Sequence, residues 1–128
     1  MIYLDTSVAL AHLLVEDRKP AETLWEAPLI ASRLLEYEVW NRLNARNLSG
    51  SHGEAARDLI GRVAFVELST VVLARALEPF PVAVRTLDAL HLASIEFLRG
   101  RRQIVELATY DERMLAAAHA IGIPIARI

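Results

Sequence analysis

The chain has 128 residues, 54% of them hydrophobic, and a net charge of −2, which describes one domain with a real core rather than a disordered or strongly basic segment. It has no cysteine, which excludes disulfides and thiolate metal sites; any metal would need Asp, Glu or His ligands, a set that favours Mg²⁺ or Mn²⁺. No apolar run approaches the length of a membrane span and the N-terminus lacks a signal peptide's basic start, so a cytoplasmic protein is expected.

The elements follow in order along the chain. Ile2–Leu4 reads as a short strand ending at Asp5, with Thr6 and Ser7 ready to cap a helix over residues 7–16. Pro20 suits the first turn of a second helix reaching Ala27. Pro28–Ala31 fits a buried strand, and Ser32 caps a helix over residues 33–47 that stops at Asn47-Leu48-Ser49-Gly50. A helix over 53–63 and a strand at Phe65–Leu68 come next, and Ser69-Thr70 opens a helix that ends before Pro79. Val84–Leu98 is a strongly apolar helix closed by Gly100, Ile104–Thr109 a strand, 111–120 a helix, and Ile123–Ile125 a last strand. Strands alternating with helices predict a single three-layer α/β/α domain over residues 1–128, with a central, mostly parallel sheet of about five strands.

Four acids stand in contexts that invite a function. Asp5 and Asp111 each sit at the C-terminal tip of a strand where a helix opens, the place where open α/β sheets keep their ligand crevice, although either could simply cap its helix. Asp88 lies in an otherwise apolar helix, where an ionised carboxylate needs a partner: Arg85 one turn earlier, or a metal ion. His91, one turn after Asp88, reads as packed in the core or bonded to Asp88 more readily than as a ligand. From the helix after the second strand either Glu36 or Glu38 can supply a fourth acid, and the helical wheel does not separate them. Thr109, two residues before Asp111, can orient a carboxylate. Several carboxylates in one cleft repel unless cations neutralise them, and hard divalent cations with oxygen ligands serve phosphodiester cleavage. No G-x-S-x-G or phosphate-binding glycine loop offers another chemistry.

Four segments together resemble the PIN-domain ribonucleases of the VapC toxin type. They are Ile2-Tyr3-Leu4-Asp5-Thr6-Ser7; Ser32 to Val39; Arg85-Thr86-Leu87-Asp88-Ala89-Leu90-His91-Leu92-Ala93; and Thr109-Tyr110-Asp111-Glu112-Arg113-Met114. The resemblance implies that Asp5, Glu38, Asp88 and Asp111 are the catalytic, metal-binding acids, selecting Glu38 over Glu36, with Thr6, Thr109 and Arg85 in support. Relatives often carry a further acid a few residues past Asp111, where this chain has Glu112, Arg113 and Met114. It further implies Mg²⁺ as cofactor, with Mn²⁺ as substitute, and endoribonuclease cleavage of RNA to a 5′-phosphate and a 3′-hydroxyl. A homodimer and inhibition by a cognate VapB-like antitoxin also follow from it. Arg33, Arg42, Arg46 and Arg85 are candidates to rim the cleft, since 13 of the 14 basic residues are arginine. The contrasting reading is a catalytically silent PIN-like module that binds RNA or protein. Leu10, Leu13, Leu14, Leu24 and Trp25 form either a docking surface or ordinary core.

Overall fold

The computed structural model describes residues 1–128. Its strands are β1 (Ile2–Leu4), β2 (Leu29–Ser32), β3 (Val63–Val66) and β4 (Glu106–Ala108). Its helices are α1 (Thr6–Leu13), α2 (Leu34–Ala45), α3 (Ser49–Gly61), α4 (Thr70–Leu77), α5 (Thr86–Gly100) and α6 (Glu112–Ala120). The strands form one parallel sheet in the order β3-β2-β1-β4. The chain steps outward from β1 to β2 to β3, then returns past α4 and α5 to the other side of β1. A crevice opens beyond the C-terminal strand ends at such a reversal. Register places Leu4 beside Ala108, and the Asp5 amide donates to the Ala108 carbonyl at 3.0 Å.

Side chains alternate across each strand, so the sheet divides two cores. Leu4, Leu29, Ala31, Val63 and Ala108 pack with α1, α2 and α3 on one face. Tyr3, Ile30, Val66 and Leu107 pack with Val72 of α4 and with α5 and α6 on the other. The architecture is thus the three-layer α/β sandwich expected.

Several local expectations need correction. The sheet has four strands, not five: Ile123–Ile125 makes only the single bridge Leu107–Ile125, because Pro124 has no N–H with which to extend a ladder. The helix expected from Pro20 is a 3-10 turn at Glu22–Glu26 that begins beyond the proline. The third strand lies two residues earlier than expected, where Leu29 to Ser32 offer it a ladder. Asn47 takes a left-handed turn (φ 55°), so α3 starts at Ser49 and absorbs Gly50. Leu10, Leu13 and Leu24 are buried in the first core, with Leu14 and Trp25 packed against it, so they are core and no docking surface.

Helix α1 ends with the Glu16 amide bonded to the Ala11 carbonyl at 3.0 Å, the six-residue closure that places one residue in left-handed backbone. That residue is Val15, with φ 51°, although a β-branched side chain is poorly suited to it.

Candidate active site

Each strand-end acid uses one oxygen locally. Asp5, 6% exposed, caps α1: its Oδ2 accepts from the Ser7 amide (3.4 Å), the Ser7 hydroxyl (2.6 Å) and the Thr109 hydroxyl (2.7 Å). Asp111 caps α6, its Oδ1 accepting from the amides of Arg113 (2.8 Å) and Met114 (3.3 Å). The Thr109 hydroxyl also accepts from the Asp111 amide at 3.0 Å, so one side chain ties the two acids together.

Glu38 reaches the same neighbourhood from α2. Its Oε1 accepts from Thr6 Oγ1 at 2.8 Å and is joined to His91 Nε2 at 2.6 Å. Glu36 instead sits in an ion pair with Arg33 at 3.2 Å, and Arg33 is held in turn by Glu67. His91 bonds Glu38 rather than Asp88, and its Nδ1 meets the Tyr3 hydroxyl at 2.7 Å. Burial alone would lower the His91 pKa; the hydrogen bond to Glu38 and the charges of Glu38, Asp5 and Asp88 outweigh burial and raise it.

Asp88, half-buried near the start of α5, is the exception: it makes no hydrogen bond and no ion pair. The structural pair with Arg85, one of the two partners the sequence offered Asp88, is not formed. Burial raises the Asp88 pKa and the charges of Asp111 and Asp5 raise it further, against smaller opposition from His91 and Arg85. Three acids therefore feel one another, and the nearby cations Arg85 and His91 offset this only in part.

In this arrangement no three His, Asp or Glu side chains converge as a metal-binding group. The donor chemistry nevertheless fits a hard cation. Asp5 Oδ1, Glu38 Oε2, Asp111 Oδ2 and both oxygens of Asp88 have no protein partner, so each acid keeps a free carboxylate oxygen.

Two openings flank the acids. A cleft of ≈ 720 Å³ is lined by Ser7, Arg18, Arg42 and Asp111 among others, and a smaller one of ≈ 400 Å³ by Arg85, Asp88 and Arg113. Arg42 and Arg85 lie where the sequence suggested, whereas Arg33 is occupied by Glu36 and Glu67. Arg18, Arg113, Ser7 and Tyr3 were not anticipated in these places. Tyr3 is the one with a visible signal, a polar group in a short buried strand that must find a partner.

A parallel α/β sandwich with acids gathered at one reversal point defines a class, and comparison with known proteins bears on which. The PIN domain family model matches residues 2–120. The chain belongs to the PIN domain family, among its VapC-type ribonucleases. It is 30% identical to Ribonuclease VapC47 of Mycobacterium tuberculosis over 129 residues, covering 95% of this chain and 93% of that one. Two solved structures share the fold: M. tuberculosis VapC20, a Sarcin-Ricin loop cleaving toxin (TM-score 0.70, 20% identity, all of both chains), and a toxin–antitoxin complex from Klebsiella pneumoniae (TM-score 0.69, 17% identity, 94% of each). No helix is long and apolar enough to cross a membrane.

Proposed function

We propose that this protein is a Mg²⁺-dependent endoribonuclease toxin, with Mn²⁺ able to substitute, that cleaves RNA and is held in check by a cognate antitoxin. The observation that carries this reading is Asp88: a half-buried carboxylate without a partner, facing the charges of Asp5 and Asp111. A structural role would have given it Arg85; a cation-binding role leaves it free. The names of the relatives point the same way, toward ribonuclease activity and toxin–antitoxin assembly.

In this reading Asp5, Glu38, Asp88 and Asp111 hold the metal through their free oxygens. Bound Mg²⁺ or Mn²⁺ supplies a water of lowered pKa and positive charge beside the scissile phosphate. Thr109 and Ser7 fix the Asp5 carboxylate, and Thr6 fixes Glu38. Arg18, Arg42, Arg85 and Arg113, lining the two openings, meet the RNA backbone and set its register rather than reading bases. The negative cleft would also draw a cationic antitoxin side chain. A homodimer acting in the cytoplasm belongs to the same reading.

The test is cleavage of a structured RNA by the purified protein with Mn²⁺ or Mg²⁺, with chelator, and in Asp5→Asn and Asp88→Asn variants. Chelation and both substitutions are expected to abolish cutting; equal activity in the variants would sink the assignment. The second reading is a catalytically silent PIN-like module that binds RNA or protein. Calorimetric titration separates the two, since a silent module takes up no Mn²⁺ at millimolar concentration.

A further inference from the structure

The acids are connected to a buried polar relay that the cleavage chemistry does not use. It runs from the Ser32 amide to the Tyr3 hydroxyl (3.1 Å), to His91 Nδ1 (2.7 Å), and from His91 Nε2 to Glu38 Oε1 (2.6 Å), where Thr6 Oγ1 also arrives (2.8 Å). Tyr3 is 0% exposed and His91 1%, so neither can exchange these partners for water.

With the imidazole neutral, the direction of every proton follows from the two ends. The Ser32 amide can only donate, so the Tyr3 oxygen accepts from it. An ionised Glu38 can only accept, so His91 Nε2 carries a hydrogen. In a neutral imidazole Nδ1 is then an acceptor, and the Tyr3 hydroxyl donates to it. Each atom is satisfied once, with no donor facing a donor. Tyr3 keeps its proton because burial, above all, raises its pKa.

We propose that His91 is a positioning residue for Glu38: Tyr3 fixes the imidazole with its hydrogen on Nε2, and that hydrogen, with Thr6, holds Glu38 by Oε1 so that Oε2 is the one oxygen left for the metal. The proposal rests on the nuclease reading for its last step only. A carboxylate pinned at one oxygen cannot turn to chelate with both, so Glu38 acts through a single atom. The pins come from two elements that also carry other acids of the site: Thr6 follows Asp5, and His91 lies one turn beyond Asp88 on α5. Glu38, the one acid from the α2 face, is thereby set in register with the rest. Partners of this kind, which touch a ligand rather than the metal, govern affinity by 10- to 100-fold elsewhere.

The experiment combines one spectrum with two variants. Nitrogen-15 spectra of histidine-labelled protein, recorded at alkaline pH, should show His91 with its hydrogen on Nε2, and Tyr3→Phe should mix the two tautomers. Calorimetric titration with Mn²⁺ alone should show affinity reduced about 10- to 100-fold in His91→Leu and largely restored in His91→Gln, which keeps a donor. RNA cleavage should follow the same order. An Nδ1–H tautomer in the wild type overturns the proposal, as does a folded His91→Leu with wild-type Mn²⁺ affinity. A folded His91→Gln no better than His91→Leu overturns it too. Wild-type protein that takes up no Mn²⁺ overturns the nuclease reading instead, and the spectrum alone then decides the relay.

Discussion

Thr109 donates its hydroxyl to Asp5 at 2.7 Å across the β1–β4 edge while accepting the Asp111 amide at 3.0 Å, so one small side chain spans both strand-end acids. Thr109→Val keeps the shape and removes both bonds. The Asp111 amide is left without its acceptor, an omission costing about 1–3 kcal/mol. A lowered melting temperature and weakened RNA cleavage are expected together. Unchanged values of both would show that the hydroxyl does nothing for either acid.

Asp88→Asn should act in opposite senses on stability and activity. Without metal, the ionised carboxylate is disfavoured by burial and by Asp111 and Asp5, so its neutral replacement should melt higher by roughly 2–4 °C in chelator. Wild-type protein should gain stability on adding Mn²⁺, and the variant should gain little. Thermal melting with and without Mn²⁺ checks both arms; a variant that melts lower than wild type in chelator contradicts the electrostatic reading.

The metal-free protein should lose stability as the solution turns alkaline. His91 has its pKa raised above the ordinary 6.5, so its contribution is fully present below that value and is lost as pH rises through the folded-state value. Asp88, also raised, works in the same direction over an acidic window above its ordinary 3.8. Urea denaturation in chelator from about pH 5 to about pH 9 should show the decline, and His91→Gln should flatten its upper part. A wild-type profile that climbs with pH would reverse the sign assigned to His91.

Val15 offers a stability gain away from the acids. Its side chain is 66% exposed and its φ is 51°, a conformation that costs a β-branched residue without any packing in return. Val15→Asn should stabilise the fold by up to about 1 kcal/mol, read as a higher urea midpoint. A lower midpoint would mean that the valine packs usefully where it stands.

Much of the site was legible because its signals are local. A strand, an acid and a helix start occur together at Asp5 and again at Asp111, and both acids do cap their helices. Asp88 stood out because a carboxylate in a largely apolar helix needs a partner. The choice of Glu38 over Glu36 was not legible from the residues, since only the placing of α2 beside α1, within reach of His91, decides which side chain meets Thr6 and His91. The bond from His91 to Glu38, 53 positions apart, was invisible for the same reason. Strand boundaries shifted because short ladders end where a neighbour's register ends, and the fifth strand failed at a proline whose missing N–H matters only once Leu107 lies beside it.

Asp5 and Asp111 each serve two masters, one oxygen given to a helix start and the other left without a protein partner. A descendant of this chain that lost its activity would still be selected to keep a capping residue at both positions, and Asp, Asn, Ser or Thr would all do. An acid found there is therefore weak testimony to a living enzyme. If the acids hold a metal as proposed, Asp88, which caps nothing and pairs with nothing, is the residue whose replacement would announce that a relative had become a bystander.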